Sequence, residues 1–228
     1  MKISDKDKGL VTEGSILEHY FETGERVYDT KAIENGEIDV EAAEEEYDRQ
    51  IMLALEEKER KDDLLEERRK MQQLEQEEIE KRVEKAKTLF HQGFNCSQAV
   101  FAACADIYGI EDETLALRLA ASFGGGIGRM RQTCGAACGM FMLAGLENGS
   151  AIEGDAEGKK QNYALVQSLA EKFKQENGSL ICSELLGIAP KPQEPTPEAR
   201  TEAYYQKRPC VEMVATAVRI FLSTIDHN

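Results

Sequence analysis

From Glu41 to His91 the chain runs for 51 residues without a proline or a glycine. Glu, Lys, Arg, Leu and Gln dominate this stretch, and all are strong helix formers, so a single long helix is expected over 41–91. Tyr47, Ile51 and Leu55 fall on one helical stripe, and Ile79, Val83, Ala86 and Phe90 on another, with Lys58 and Asp62 interrupting between them. A coiled coil needs an apolar seam sustained over several heptads. This seam is broken, which predicts a solvated helix, exposed through its middle, that pairs with a partner or with its own twin as a homodimer. Residues 1–40 mix short apolar pairs (Ile16-Leu17, Tyr20-Phe21) with glycines and acidic residues, and are expected to be an extension only partly ordered.

The charge follows the same division. Of 43 acidic and 28 basic residues, 27 and 16 lie before residue 88, so eleven of the fifteen net negative charges belong to the N-terminal part. An acidic chain argues against nucleic acid, which needs a basic face to displace its counterions. No apolar run approaches the roughly 20 residues of a membrane span. The start, MKISDKDKGL, carries no signal core, which places the expected location in the cytoplasm. Structural disulfides are rare there, so six cysteines point to metal or redox chemistry, or else to buried thiols acting as small hydrophobes.

Residues 92–228 read as one compact domain of five to six helices. Asn95 opens an apolar helix with Cys96, Ala99, Val100, Ala103, Cys104 and Ile107 at helical spacing, ended by Gly109. Asp112 caps a second, whose inner face is expected to be Leu115, Leu119 and Phe123. Thr133 is expected to cap a helix from Cys134 to Leu146, before Asn148-Gly149. Ala156 to Glu176 is amphipathic through Tyr163, Val166, Leu169 and Phe173, and Ser179–Leu186 makes a short turn. Four prolines from Pro190 to Pro197 mark an extended connector, and a last helix follows Pro209. No strand-like alternation occurs, so the fold class is all-α.

Set on these elements, the cysteines separate into two groups. Cys96, Cys134, Cys182 and Cys210 each fall at or beside a helix start, where unpaired N–H groups and the positive dipole end favour a thiolate. Cys104 lies eight residues after Cys96 on its apolar face and reads as core. Cys138 also reads as core, although it shares a helix face with Cys134. Gly124-Gly125-Gly126-Ile127-Gly128-Arg129 is too rich in glycine for a regular element, and lacks the βαβ setting of a dinucleotide fingerprint. It leads straight into Cys134, so Gly126 and Gly128 are expected to let backbone approach the site, with Arg129 and Arg131 offsetting anionic charge. Among His19, His91 and His227 there is no metal spacing, and His91 reads as an exposed helix end. No Ser-His-Asp or HExxH pattern occurs.

Five separated segments together resemble the C-GCAxxG-C-C family of redox-active proteins: Phe94-Asn95-Cys96-Ser97-Gln98-Ala99-Val100, the glycine segment 124–129, Cys134-Gly135-Ala136 with Gly139, Cys182 before Glu184-Leu185-Leu186-Gly187, and Pro209-Cys210. The likeness covers about residues 80–225. It implies a small helical redox domain that keeps company with oxidoreductases or transporters, in some members with selenocysteine replacing a cysteine. A similar domain is joined to haem in split-Soret cytochromes, where an iron–sulfur cluster has been proposed. This chain has no CxxCH haem attachment site.

Three chemistries are compatible with the four cysteines. They could ligate a [2Fe–2S] or [4Fe–4S] cluster in an electron-transfer protein or oxidoreductase component, serving an unidentified redox protein partner. They could cycle as thiol and disulfide with Cys134 as the catalytic, reactive thiol. They could hold a structural zinc ion in an interaction module, although such sites usually come as two close CxxC pairs, which are absent here.

Overall fold

A computed structural model describes residues 22–24, 34–36 and 40–225. The expectation for 1–40 therefore falls almost wholly outside the described residues, as does the Tyr47 side chain. Among the described residues there are eight α-helices and no strand, and the all-α reading holds. The helices are α1 (Val40–His91), α2 (Cys96–Cys104), α3 (Glu113–Ala120), α4 (Gly135–Asn148), α5 (Ala156–Asn177), α6 (Cys182–Leu185), α7 (Glu202–Lys207) and α8 (Cys210–Leu222). Short 3₁₀ turns, Ala105–Tyr108 and Ala121–Phe123, follow α2 and α3. No described helix is long and apolar enough to cross a membrane.

The chain divides into two units, Met1–Gln73 and Leu74–Asn228. In the first, every α1 side chain from Met52 to Gln73 is exposed except half-buried Ala54. Leu55 is exposed although it lies on the expected stripe. Here the helix rests on propensity and on i,i+4 ion pairs such as Glu57–Lys61 (2.8 Å) and Glu66–Lys70 (2.7 Å).

In the second unit, the last turns of α1 bury Ile79, Val83, Ala86, Leu89 and Phe90. The core is shared by α2, α4, α5 and α8, through Val100, Met140, Leu143, Leu169, Phe173, Val218 and Phe221, all at most 1% exposed. Arg219 grips Glu80 with two hydrogen bonds (2.8 and 2.9 Å), which ties α8 to α1.

Several sequence expectations need correcting. Helix α3 turns Ala116 and Ala120 inward, leaving Leu115 and Leu119 47% and 48% exposed. The helix lies close against α2, where Ser97 Oγ donates to the Ala120 carbonyl (2.8 Å) and Gln98 Nε2 to that of Leu117 (3.0 Å). So close an approach leaves room for methyl groups and none for leucines. Ile107 is 37% exposed, because α2 tightens into 3₁₀ geometry after Cys104 and turns it outward. Tyr163 lies at the solvated start of α5 and is 62% exposed. Helix α7, capped by Thr201, follows the proline-rich connector and had no apolar period to announce it.

Candidate functional site

Cys96 begins α2, and its position is set by a capping box. Asn95 Oδ1 accepts from the amides of Ser97 (3.1 Å) and Gln98 (3.0 Å), while Gln98 Oε1 accepts from the Asn95 amide (3.0 Å). Cys182 and Cys210 are the first residues of α6 and α8. Cys134 corrects the expectation. It is the N-cap itself, with α4 starting at Gly135, and Thr133 does not cap the helix. Thr133 instead forms an isolated antiparallel bridge with Ile181. Around that bridge the Cys134 amide donates to the Leu180 carbonyl and the Cys182 amide to that of Gln132, both at 2.7 Å. A single bridge thus clamps together two cysteines that are 48 residues apart in the chain.

The glycine segment brings its backbone to these sulfurs. Five consecutive residues, Gly125 to Arg129, have φ between 54° and 71°, and Arg131 has φ 61°. Left-handed backbone costs a side-chain-bearing residue about 1–2 kcal/mol, so Ile127, Arg129 and Arg131 are strained positions held by their surroundings. A Cβ added to Gly126 would lie 2.7 Å from Cys182 Cβ and 2.8 Å from Arg131 Cα. Gly126 is therefore a close-packing position beneath Cys182, whereas Gly128 is exposed and borders the cavity described below. A Cβ added to Gly135 would likewise lie 3.0 Å from the Phe123 carbonyl oxygen and 3.3 Å from Cys96 Cβ.

Cys96 is the electrostatic hub. The neighbouring thiol of Cys210 favours its thiolate most and, joined by the Gly125 amide and the Arg200 charge, brings its pKa down to about 7 against the cost of burial. The neighbouring Cys96, together with burial, pushes the Cys210 pKa up. Burial, then the Cys96 charge, raise Cys134, with the amides of Ala136 and Ala137 pulling the other way. Cys182 is raised mainly by burial and held back by Arg131, whose Nη1 lies 3.8 Å from its sulfur. Cys138 is pushed up to about 11 by burial and then by the charges of Cys96 and Cys182, so it borders the group. Cys104 stands apart, fully buried and pushed up to about 12 by desolvation. All six cysteines are free thiols.

Over Cys96, Cys182 and Cys210 opens a cavity of about 360 Å³, whose wall includes Arg129, Arg131, Arg200 and Arg208. The sequence expectation reaches Arg129 and Arg131, in and beside the glycine segment, but not Arg200 and Arg208, which come from beyond the prolines. His91 takes no part in this wall, and its ring packs against Tyr205 at 4.8 Å.

Fold and geometry together describe a helical protein with four cysteines at or beside helix starts, three of them lining one cavity. The chain belongs to the family described as "Putative redox-active protein (C_GCAxxG_C_C)", whose model matches residues 94–224. No curated protein and no solved structure matches the chain.

Proposed function

We propose that this is an electron-transfer protein in which Cys96, Cys134, Cys182 and Cys210 ligate an iron–sulfur cluster. The supporting observation is the mutual electrostatic coupling of these four thiols, all at helix starts, with Arg131 and backbone amides directed at their sulfurs. An all-thiolate donor set suits such a cluster, which would supply one-electron transfer when bound. The hydroxyl of Ser183, 1% exposed and without a partner among the described residues, is a further spare donor beside Cys182. A single zinc ion fits less well. It needs sulfurs about 2.3 Å from one point, and among the described residues no three Cys, His, Asp or Glu side chains are gathered closely enough to hold one ion. The same holds for a cluster, whose binding would have to draw the four thiolates together; what favours it over zinc is the lack of close CxxC pairs.

The protein's own groups then have distinct roles. Arg131 and the Gly125 amide stabilise negative charge on sulfur, donors of the kind that raise a cluster's potential. The strained glycine segment keeps side chains away from Cys182. Residues 92–228 form the redox domain in this scheme, and 41–91 an element for docking a redox partner or a second copy. A reducing compartment such as the cytoplasm suits six free thiols.

The contact between Cys96 and Cys210 favours a second function, thiol–disulfide exchange. The Cys96 thiolate would attack a substrate disulfide and release one thiol. Cys210, after losing its proton, would then displace the other thiol, leaving a Cys96–Cys210 disulfide. Cys96 suits the role of nucleophile better than Cys134, whose thiol is buried and held protonated.

Anaerobic purification followed by visible spectroscopy and by iron and sulfide analysis tests the proposal. The protein is expected to be brown, and Ser replacements at Cys96, Cys134, Cys182 or Cys210 should lose iron while Cys104→Ser retains it. Colourless, iron-free protein that forms a Cys96–Cys210 disulfide on oxidation would establish the exchange function instead.

A further inference from the structure

The cavity over the cysteines is positively charged on a chain of formal charge −15. Its charged wall consists of four guanidiniums and a single carboxylate, that of Glu198. Glu198 is shared: it binds Arg208 through both oxygens (2.6 and 2.7 Å) and lies 3.6 Å from Arg129 and 3.9 Å from Arg131. The other partners of these arginines are neutral or a thiol. Arg129 Nε donates to the Glu194 carbonyl (2.7 Å), and Arg131 Nε to Gln193 Oε1 (3.0 Å). Arg200 has no carboxylate partner among the described residues. It donates to the carbonyls of Phe90 (3.4 Å) and Phe94 (3.1 Å), and its guanidinium lies over the rings of Phe90 (4.4 Å) and Tyr204 (4.8 Å).

Packing like charges together in a recessed wall is unfavourable unless an anion offsets them. Here backbone carbonyls, an amide side chain and aromatic faces fix the guanidiniums in place. Arginine so held is pre-organised to bind oxyanions through paired N–H groups, and a charged cleft concentrates its counter-ion. The cavity has room for a small molecule, and Cys96 borders it.

We infer that this cavity binds a small multivalent oxyanion, presented to the cysteine centre by Arg129, Arg131, Arg200 and Arg208. Binding needs only the fixed arginine charges, while the anion's role as reactant or effector rests on the cysteines being the redox centre. Inorganic phosphate is a suitable probe, titrated by calorimetry into the purified full chain, with chloride at equal ionic strength as the control. Saturable binding is expected for phosphate and not for chloride. Arg129→Gln should weaken it about ten-fold, in line with losing a charge-assisted hydrogen bond. Glu198→Gln should tighten it several-fold, since it removes the competing carboxylate; this gain cannot come from misfolding. Phosphate binding no better than chloride, or equal in all three proteins, would overturn the inference. Iron content and the visible spectrum of the same samples report separately on the cluster, so the two proposals can fail independently.

Discussion

Cys96 and Cys104 are the first and last residues of one nine-residue helix, yet their thiols are pushed in opposite directions. Cys96 meets a neighbouring thiol, a backbone amide and a guanidinium, and its pKa falls to about 7. Cys104 packs in the apolar core, and burial lifts its pKa to about 12 although the charges of Arg82 and Lys85 pull the other way. Cys104 is fully buried and Cys96 half-buried, but burial opposes the thiolate at both, so burial alone does not give the opposite signs. The difference lies in the balance: at Cys96 the neighbouring thiol, amide and guanidinium outweigh burial, whereas at Cys104 the pull of Arg82 and Lys85 does not. Helix α2 thus joins a site at one end to a hydrophobic core at the other.

The sharpest way to break this contrast is to force the site apart. Gly126→Ala places a Cβ into Cys182 and the Arg131 backbone at a position with φ 71°. It is expected to cost about 3 kcal/mol or more, measured by denaturant unfolding. Next is Cys210→Ala, which removes the principal cause of the low Cys96 pKa. In reduced, metal-free protein, Cys96 alkylation at pH 7 should slow about ten-fold, and an unchanged rate would show that Cys210 does not tune it.

The pH dependence has opposite signs at the two ends. The Cys96 pKa is depressed from its ordinary 9.0, so its contribution to stability is complete above that value and is lost as pH falls through about 7. The Cys104 pKa is raised, so its contribution is complete below 9.0 and is lost as pH climbs towards about 12. The midpoint of Cys96 alkylation should accordingly lie near pH 7, and Cys104 should resist the reagent until the protein unfolds.

Two smaller effects complete the series. Cys104→Ala should cost about 1–2 kcal/mol, as for a small core residue, and leave Cys96 reactivity unchanged. Leu64→Gln, on the exposed middle of α1, should shift stability by no more than about 0.5 kcal/mol; a larger loss would reveal a packed partner on that face.

Much of the fold was legible because local signals agreed. The helix starts at Asn95 and Asp112, the Gly109 closure, and the buried stripe Ile79–Val83–Ala86–Phe90 all stand where spacing put them. The expectation failed where close packing overrode hydrophobicity, as at Ala116 and Ala120, and where one bridge, Thr133 to Ile181, displaced a helix cap. A single bridge has no periodicity and leaves no mark in the sequence.

The sequence by itself determined the all-helical class, the solvated long helix and which cysteines stand at or beside helix starts, because capping and amphipathic period act over three or four residues. Only the tertiary structure decided which sulfur becomes the favoured thiolate and that four arginines share its cavity. Those outcomes depend on distances between Cys96, Gly125, Arg200 and Cys210, whose positions span residues 96 to 210. Electrostatic coupling follows separation in space, and no local pattern encodes it.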